Sequence, residues 1–194
     1  MRKALYTVLL ISLWSCRKDN FSLNRTLPDA TTVGAQTIGF LIPIGVWRNE
    51  GQVCFPFAGG CRENIRAGFQ NDTRSFWLTA DEVLRQSGQV IRSSNVDFNM
   101  DIRTAGIGNY STINGDRIQF SYIIRGASGL DTMYVLPQVS PHFQVTITRF
   151  DTIAGIVAAS FSGILFRRND FSSSTTSTTD SIVIRDGRLD VRIR

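Results

Sequence analysis

Apolar residues fall at every second position along much of this chain. Val96, Phe98, Met100 and Ile102 alternate with Asp97, Asn99 and Asp101; Ile118, Phe120, Tyr122 and Ile124 keep the same spacing, and Phe143, Val145 and Ile147 alternate with Gln144, Thr146 and Thr148. That period puts successive side chains on opposite faces of a strand, one buried and one solvated. A first strand is expected over Thr37 to Ile42, with Pro43 and Gly45 turning the chain into Val46-Trp47. Phe69 to Leu78 reads as another strand, and Asn114-Gly115 as a two-residue turn. Thr79-Ala80-Asp81-Glu82 has the spacing of a capping box, which allows a short helix over Ala80 to Gln86. Asp151-Thr152 turns the chain into Ile153 to Phe166, an apolar run too short for a membrane span and suited to a central strand. The Ser/Thr tract from Asp170 to Asp180 reads as a loop. Asp186-Gly187 then closes a hairpin that sets Ile184 opposite Leu189 and Ile182 opposite Val191. The expectation is an all-β domain, an antiparallel β-sandwich or partly open barrel of about eight to ten strands with room for one short helix.

Before this pattern begins, Arg2 and Lys3 precede an apolar run, Ala4 to Trp14, with the form of a secretory signal peptide. The run ends in Leu13-Trp14-Ser15-Cys16, which resembles the bacterial lipobox, and the Cys16 thiol is the expected site of lipidation. Residues 1–15 are read as the signal peptide, 16–26 as the lipidated Cys and a polar tether, and 27–194 as one β-domain. Acyl chains of palmitate length contribute roughly 0.8 kcal/mol per buried CH₂, so several chains anchor permanently. Arg17, not Asp, follows the Cys, which favours the outer membrane, and Lys18-Asp19 resembles part of a Lys-plus-acidic signal that sends some lipoproteins to the outer face; the expected location is the outer membrane, on its periplasmic or cell-surface face.

Composition narrows the partners. The 194 residues carry a formal charge of +5, which falls to +3 when Arg2 and Lys3 leave (19 basic against 16 acidic). The remaining Arg residues are interspersed with Asp, Asn and Ser, a solvated surface and no nucleic-acid footprint. In an oxidising compartment Cys54 and Cys61, separated by a loop containing Pro56, Gly59 and Gly60, are expected to form a disulfide. The alternative is a pair of reduced or metal-binding thiols; His142 is the only histidine, so a zinc shell would have to recruit carboxylates.

Catalytic signatures are missing from the sequence. There is no G-x-S-x-G, H-E-x-x-H, P-loop or dinucleotide fingerprint, and His142, between Pro141 and Phe143, suits a loop or cap role. No catalytic, cofactor or metal residue is assigned, and the chain reads as a non-enzymatic binding or structural module for a glycan, peptide or envelope protein. The alternative is an envelope hydrolase built on dispersed acidic pairs, Asp97 with Asp101 or Asp81 with Glu82. Trp47, Trp77, Tyr110, Tyr122 and Tyr134 could form a sugar-stacking platform, although most are expected in the core or half-buried in the sheet.

Both ends of the domain also carry a resemblance. Leu27-Pro28-x-Ala30-Thr31-x-x-Gly34-Ala35-x-Thr37-x-Gly39, followed by Gly45-Val46-Trp47, resembles the LPxATxTGANTFGC…G…W opening of a family of small Bacteroidetes envelope lipoproteins, a domain of unknown function. Val145 to Asp151, Ile153-Ala154-Gly155 and Ile184 to Val191 are similar to its VTITKxD…ISGTF…ITDGRFDV ending. Phe40 stands where that family often has Cys, so no thiol role carries over. The resemblance implies a location and a β architecture, without a reaction. Organisms of this kind O-glycosylate exported proteins at Asp-Ser/Thr-apolar triplets, which implies Thr132, Thr152 and Ser181 as candidates, Ser181 the most accessible.

Overall fold

The computed structural model describes residues 25–50, 53–55, 60–87, 89–126, 130–137, 143–168 and 176–193, with side chains for all of these except 53–55, 60–62 and 176–179. Residues 1–15, read as a signal peptide, Cys16 and His142 lie outside the described residues. Thirteen strands run in chain order through the described residues: β1 Thr37–Ile42, β2 Gly45–Arg48, β3 Val53–Phe55, β4 Gly60–Arg62, β5 Ile65–Gln70, β6 Ser75–Gln86, β7 Gln89–Asp101, β8 Gly108–Ser111, β9 Ile118–Arg125, β10 Thr132–Val135, β11 Phe143–Asp151, β12 Ile156–Arg168 and β13 Thr176–Arg192. β3 and β4 form a separate hairpin. The other eleven make one sheet with the continuous path β2-β1-β13-β12-β10-β9-β7-β6-β5, and β11 pairs with both β12 and β8. The nine-strand path is antiparallel and curls into a half-barrel, the partly open barrel of the sequence-based expectation.

Alternation decides which face is inside. Phe76 and Leu78 of β6, Phe98 and Met100 of β7, Phe120 and Tyr122 of β9, and Phe161 of β12 all point inward and are buried. Phe40 stacks on Trp47 with centroids 4.8 Å apart, and Phe120 meets Phe143 at 5.2 Å and Phe161 at 5.6 Å. Such ring pairs add about 0.5–1.5 kcal/mol each beyond the area they bury. β12 is the central strand the sequence suggests, paired along its length with β13 on one side and with β11 and β10 on the other.

Several local readings give way to long-range pairing. Ala80 to Gln86 is the second half of β6 and not a helix: Ala80 pairs with Ile65 of β5 and Val96 of β7, and the ladder with β7 continues to Gln86. A capping box is worth about 1 kcal/mol, less than a row of ladder bonds with a buried face. Phe69 to Leu78 is two strands joined by a turn over residues 71–74. Asn114-Gly115 ends a 3₁₀ turn, with Gly115 at φ 80°, and the strands around it pair elsewhere: β8 with β11, β9 with β7 and β10. Part of the Ser/Thr tract, from Thr176 onward, is strand.

The Asp186-Gly187 hairpin is likewise absent. β13 runs straight through it, and the pair is a bulge: Ser162 alone separates Phe161 from Gly163, while Arg185 and Asp186 separate their partners Ile184 and Gly187. Asp186 takes φ 50°. Gly187 is required by contact, because a Cβ there would lie 2.4 Å from the Phe161 ring. Asp-Gly favours left-handed backbone in bulges as well as in turns. The neighbouring strands β1 and β12, each paired with β13, select the bulge.

Asp190, on the outer face of β13, fastens the segment ahead of β1. Its carboxylate accepts from the Thr31 hydroxyl and from the amides of Val33 at 3.0 Å, Gly34 at 2.7 Å and Ala35 at 3.2 Å. Burial pushes the Asp190 carboxyl up, but the Thr31 hydroxyl and the three amides outweigh it and hold the carboxyl below the usual range. The two stretches that carry the family resemblance therefore touch through this carboxylate.

Candidate functional site

Two places gather polar chemistry, one outside the curl and one within it. Outside, an open groove of about 1100 Å³ crosses β6, β7, β9 and β10 and reaches Arg168 of β12, with the Thr112–Asn114 turn and Pro137 among its borders. Strand register builds its floor in two rows. Trp77, Asn99 and Gln119 lie opposite one another across β6, β7 and β9, and Thr79, Asp97, Ser121 and Val135 form the next row out to β10. These are the outward positions of strands whose inward positions fill the aromatic core, so the alternation that buries Phe98 also presents Asp97 and Asn99.

Trp77 holds one end of the groove. It is 38% exposed, and its register partner is Gly68 on the edge strand β5. A Cβ on Gly68 would come within 2.7 Å of three atoms of the indole, so the ring reclines across a backbone that only glycine leaves open. Covering an edge glycine with an aromatic ring stabilises a sheet in its own right. It also holds the ring in place on one side while leaving much of it in solvent. Beside it the Thr79 hydroxyl donates to Asp97 at 2.9 Å and the Ser75 hydroxyl donates to Asn99 at 3.1 Å.

Inside the curl, Glu82 is fully buried and accepts from Arg25 at 2.6 Å, from Arg92 at 2.7 and 2.8 Å and from Ser94 at 3.1 Å. Arg25 also donates to the Val46 carbonyl and to Glu50, and Glu50 makes a parallel bridge to Glu82 that joins the β2 end of the sheet to β6. Burial raises the Glu50 carboxyl, but the Arg48 hydrogen bond and the Arg48 and Arg25 charges hold it below the usual range. The Tyr122 hydroxyl makes no hydrogen bond of good geometry and is pushed up to about 12, first by burial and then by the Glu82 carboxylate. Both Glu82 oxygens are occupied by the protein's own donors, so this cluster closes a seam and leaves no carboxylate lone pair facing a ligand.

The residues singled out from sequence scatter. Trp47, Tyr110 and Tyr122 are core, Tyr134 is half-buried with its hydroxyl donating to Asp180 at 3.3 Å, and Trp77 alone of the five aromatics lines the groove. Asp97 and Asp101 sit four positions apart on the outer face of β7, roughly 13 Å along a strand. That exceeds the carboxylate separation of about 6.5–9.5 Å in inverting glycosidases. Asp81 and Glu82 point to opposite faces. Thr132 is half-buried on β10, Thr152 is exposed in the β11–β12 turn, and Ser181 is exposed on β13 opposite Phe166. Cys54 and Cys61 are register partners in the β3–β4 hairpin, and their side chains lie outside the described residues. Among the described residues no three His, Cys, Asp or Glu side chains converge as a metal set. Missed from sequence were Gly68, which carries the Trp77 ring, and the groove residues Asn99, Gln119 and Ser121. The polar phase of β7 and β9 contains the last three, but only register sets them beside Trp77.

No family model matches the chain, and neither the curated proteins nor the solved structures contain a match.

Proposed function

We propose that the mature protein is a lipid-anchored, non-enzymatic binding module of the bacterial envelope that holds its ligand in the groove over β6, β7 and β9. The observation that carries this reading is the Trp77 indole laid over Gly68 at the end of two rows of hydrogen-bonding side chains. The two floor rows pair a fixed aromatic surface with amides, a carboxylate and hydroxyls. The Leu13-Trp14-Ser15-Cys16 sequence and the resemblance to small envelope lipoproteins support the anchor and an outer-membrane location, periplasmic or surface-facing. The polar stretch over residues 16–26 would supply the lipidated Cys and its tether. The opposed backbones of Cys54 and Cys61 suit a disulfide, since facing residues of an antiparallel pair have Cα atoms about 4.5–5.5 Å apart, within disulfide range.

Two experiments test the reading. Mass mapping of the protein extracted from membranes should find an acylated N-terminal Cys16 and a Cys54–Cys61 cross-link; an unmodified Cys16 removes the anchor, and free thiols remove the disulfide. The soluble chain from residue 17 should capture a component of envelope polysaccharide extract, and Asn99→Ala with Gln119→Ala should abolish capture without shifting the melting temperature by more than about 2 °C. Unchanged capture would move the site elsewhere, and cleavage of the captured material would replace this reading with the hydrolase.

A further inference from the structure

We infer that the groove takes a neutral, extended oligosaccharide lying across the strands, with one sugar ring stacked on Trp77; this rests on the binding reading above. Four features of the groove select that chemistry. Its lining holds two carboxylates, Asp97 and Asp116, and two guanidiniums, Arg117 and Arg168, so its formal charges cancel. A phosphate-rich or acidic polymer calls for an excess of cations, often in bidentate arrangement, which this floor does not offer.

The groove also lies in the middle of the sheet. β6, β7, β9 and β10 are each paired on both sides, so their backbone groups are spent. An extended peptide gains its affinity mainly by adding a strand to a free edge, and no such edge opens into this floor. A sugar ring needs no backbone ladder. It has an apolar C–H face, which an indole covers, and a rim of hydroxyls that both donate and accept. Asn99 and Gln119 offer amides that do the same, Asp97 accepts, and the hydroxyls of Thr79 and Ser121 complete the second row.

Dimensions give the length. From β6 to β12 there are four interstrand steps, about 19 Å at about 4.8 Å per step, and the register sets Arg168 beside Met133, four residues along the strands from the Trp77 row, so the two ends of the groove lie on a diagonal. The groove's 1100 Å³ exceeds the upper range of pockets for single small molecules, about 1,000 Å³. Both figures fit a chain of about four sugar units crossing the strands obliquely, with the Trp77 end the strongest subsite.

The test uses the soluble chain from residue 17 and a panel of neutral and acidic oligosaccharides of graded length, with unstructured peptides alongside. Neutral oligosaccharides should bind, with affinity rising to about four units and then levelling, and with little dependence on salt. Trp47 is buried, so the ligand-induced fluorescence change should report Trp77 and vanish in Trp77→Phe. Because the indole also covers Gly68, Trp77→Ala can lose fold as well as ligand; Gln119→Ala, on an exposed side chain, separates the two and should weaken binding about tenfold with an unchanged melt. Binding confined to acidic glycans, binding to peptides, affinity independent of length, or no binding across the panel overturns the oligosaccharide assignment. If Asn99→Ala with Gln119→Ala still abolishes capture from the extract, the groove itself survives that failure.

Discussion

Glu82→Ala should cost about 3–5 kcal/mol of folding stability, the range observed when one partner of a buried ion pair is removed. Glu82 is fully buried between two guanidiniums, and its loss leaves Arg25, whose side chain is 8% exposed, with Glu50 as its remaining carboxylate and Arg92 without its bidentate partner. It also removes an acceptor from Ser94, which itself receives the Trp47 indole N–H at 2.9 Å. Against a typical total of about 5–15 kcal/mol, the loss would leave a marginal fold, read directly as a drop in the urea midpoint. Arg25→Ala should be milder, because Glu82 keeps Arg92 and Ser94, and the double-mutant cycle should return a coupling of about 1–3 kcal/mol. A loss below about 1 kcal/mol would mean the cluster behaves as a solvated surface pair. Replacing Arg25, Glu82 and Arg92 together with apolar residues of similar volume should recover much of the stability.

That seam shows where sequence reading runs out. The period-two pattern of Val96 to Ile102 and Phe143 to Ile147 is local, and both segments form strands with those residues inside. Thr37 to Ile42 and its Pro43 turn are equally local and match strand β1 residue for residue. Register is set by partners far along the chain, and so is everything that depends on it. Thr79 to Glu82 and Asp186-Gly187 each carry a local signal for one structure, and each adopts another because strands on both sides impose a ladder. Trp77 was legible as an aromatic of interest, while its difference from Trp47 depends on Gly68, nine residues earlier in the chain. Glu82 reads as half of an acidic pair until the fold brings Arg25 and Arg92 to it from 57 and 10 residues away.

Asp190 makes the second large effect, and it carries a pH signature. Asp190→Asn should cost about 3 kcal/mol at pH 7, because hydrogen bonds to a charged group contribute about 1.5–3 kcal/mol net, a carboxamide keeps only part of that, and its NH₂ cannot accept from the amides it would face. The Asp190 carboxyl is held below its usual range in the folded protein. A depressed carboxylate contributes stability that is fully present above its unfolded value, about 3.9, and that drains as pH falls through the lower folded value. The gap between wild type and Asp190→Asn should therefore be constant from neutral pH down to about pH 5 and narrow below about pH 4. Unfolding midpoints across that range measure it, and a gap that holds its size to pH 2 would show that the carboxylate's charge is not what holds the segment. Hydrogen exchange locates the effect: the amides of Val33, Gly34 and Ala35 should lose protection in the variant, while those of the β6–β7 ladder under the groove keep theirs. Because Asp190 and the groove use different parts of the sheet, the variant should also bind the groove ligand normally at neutral pH, which makes it a control for any loss caused by substitutions at Asn99 or Gln119.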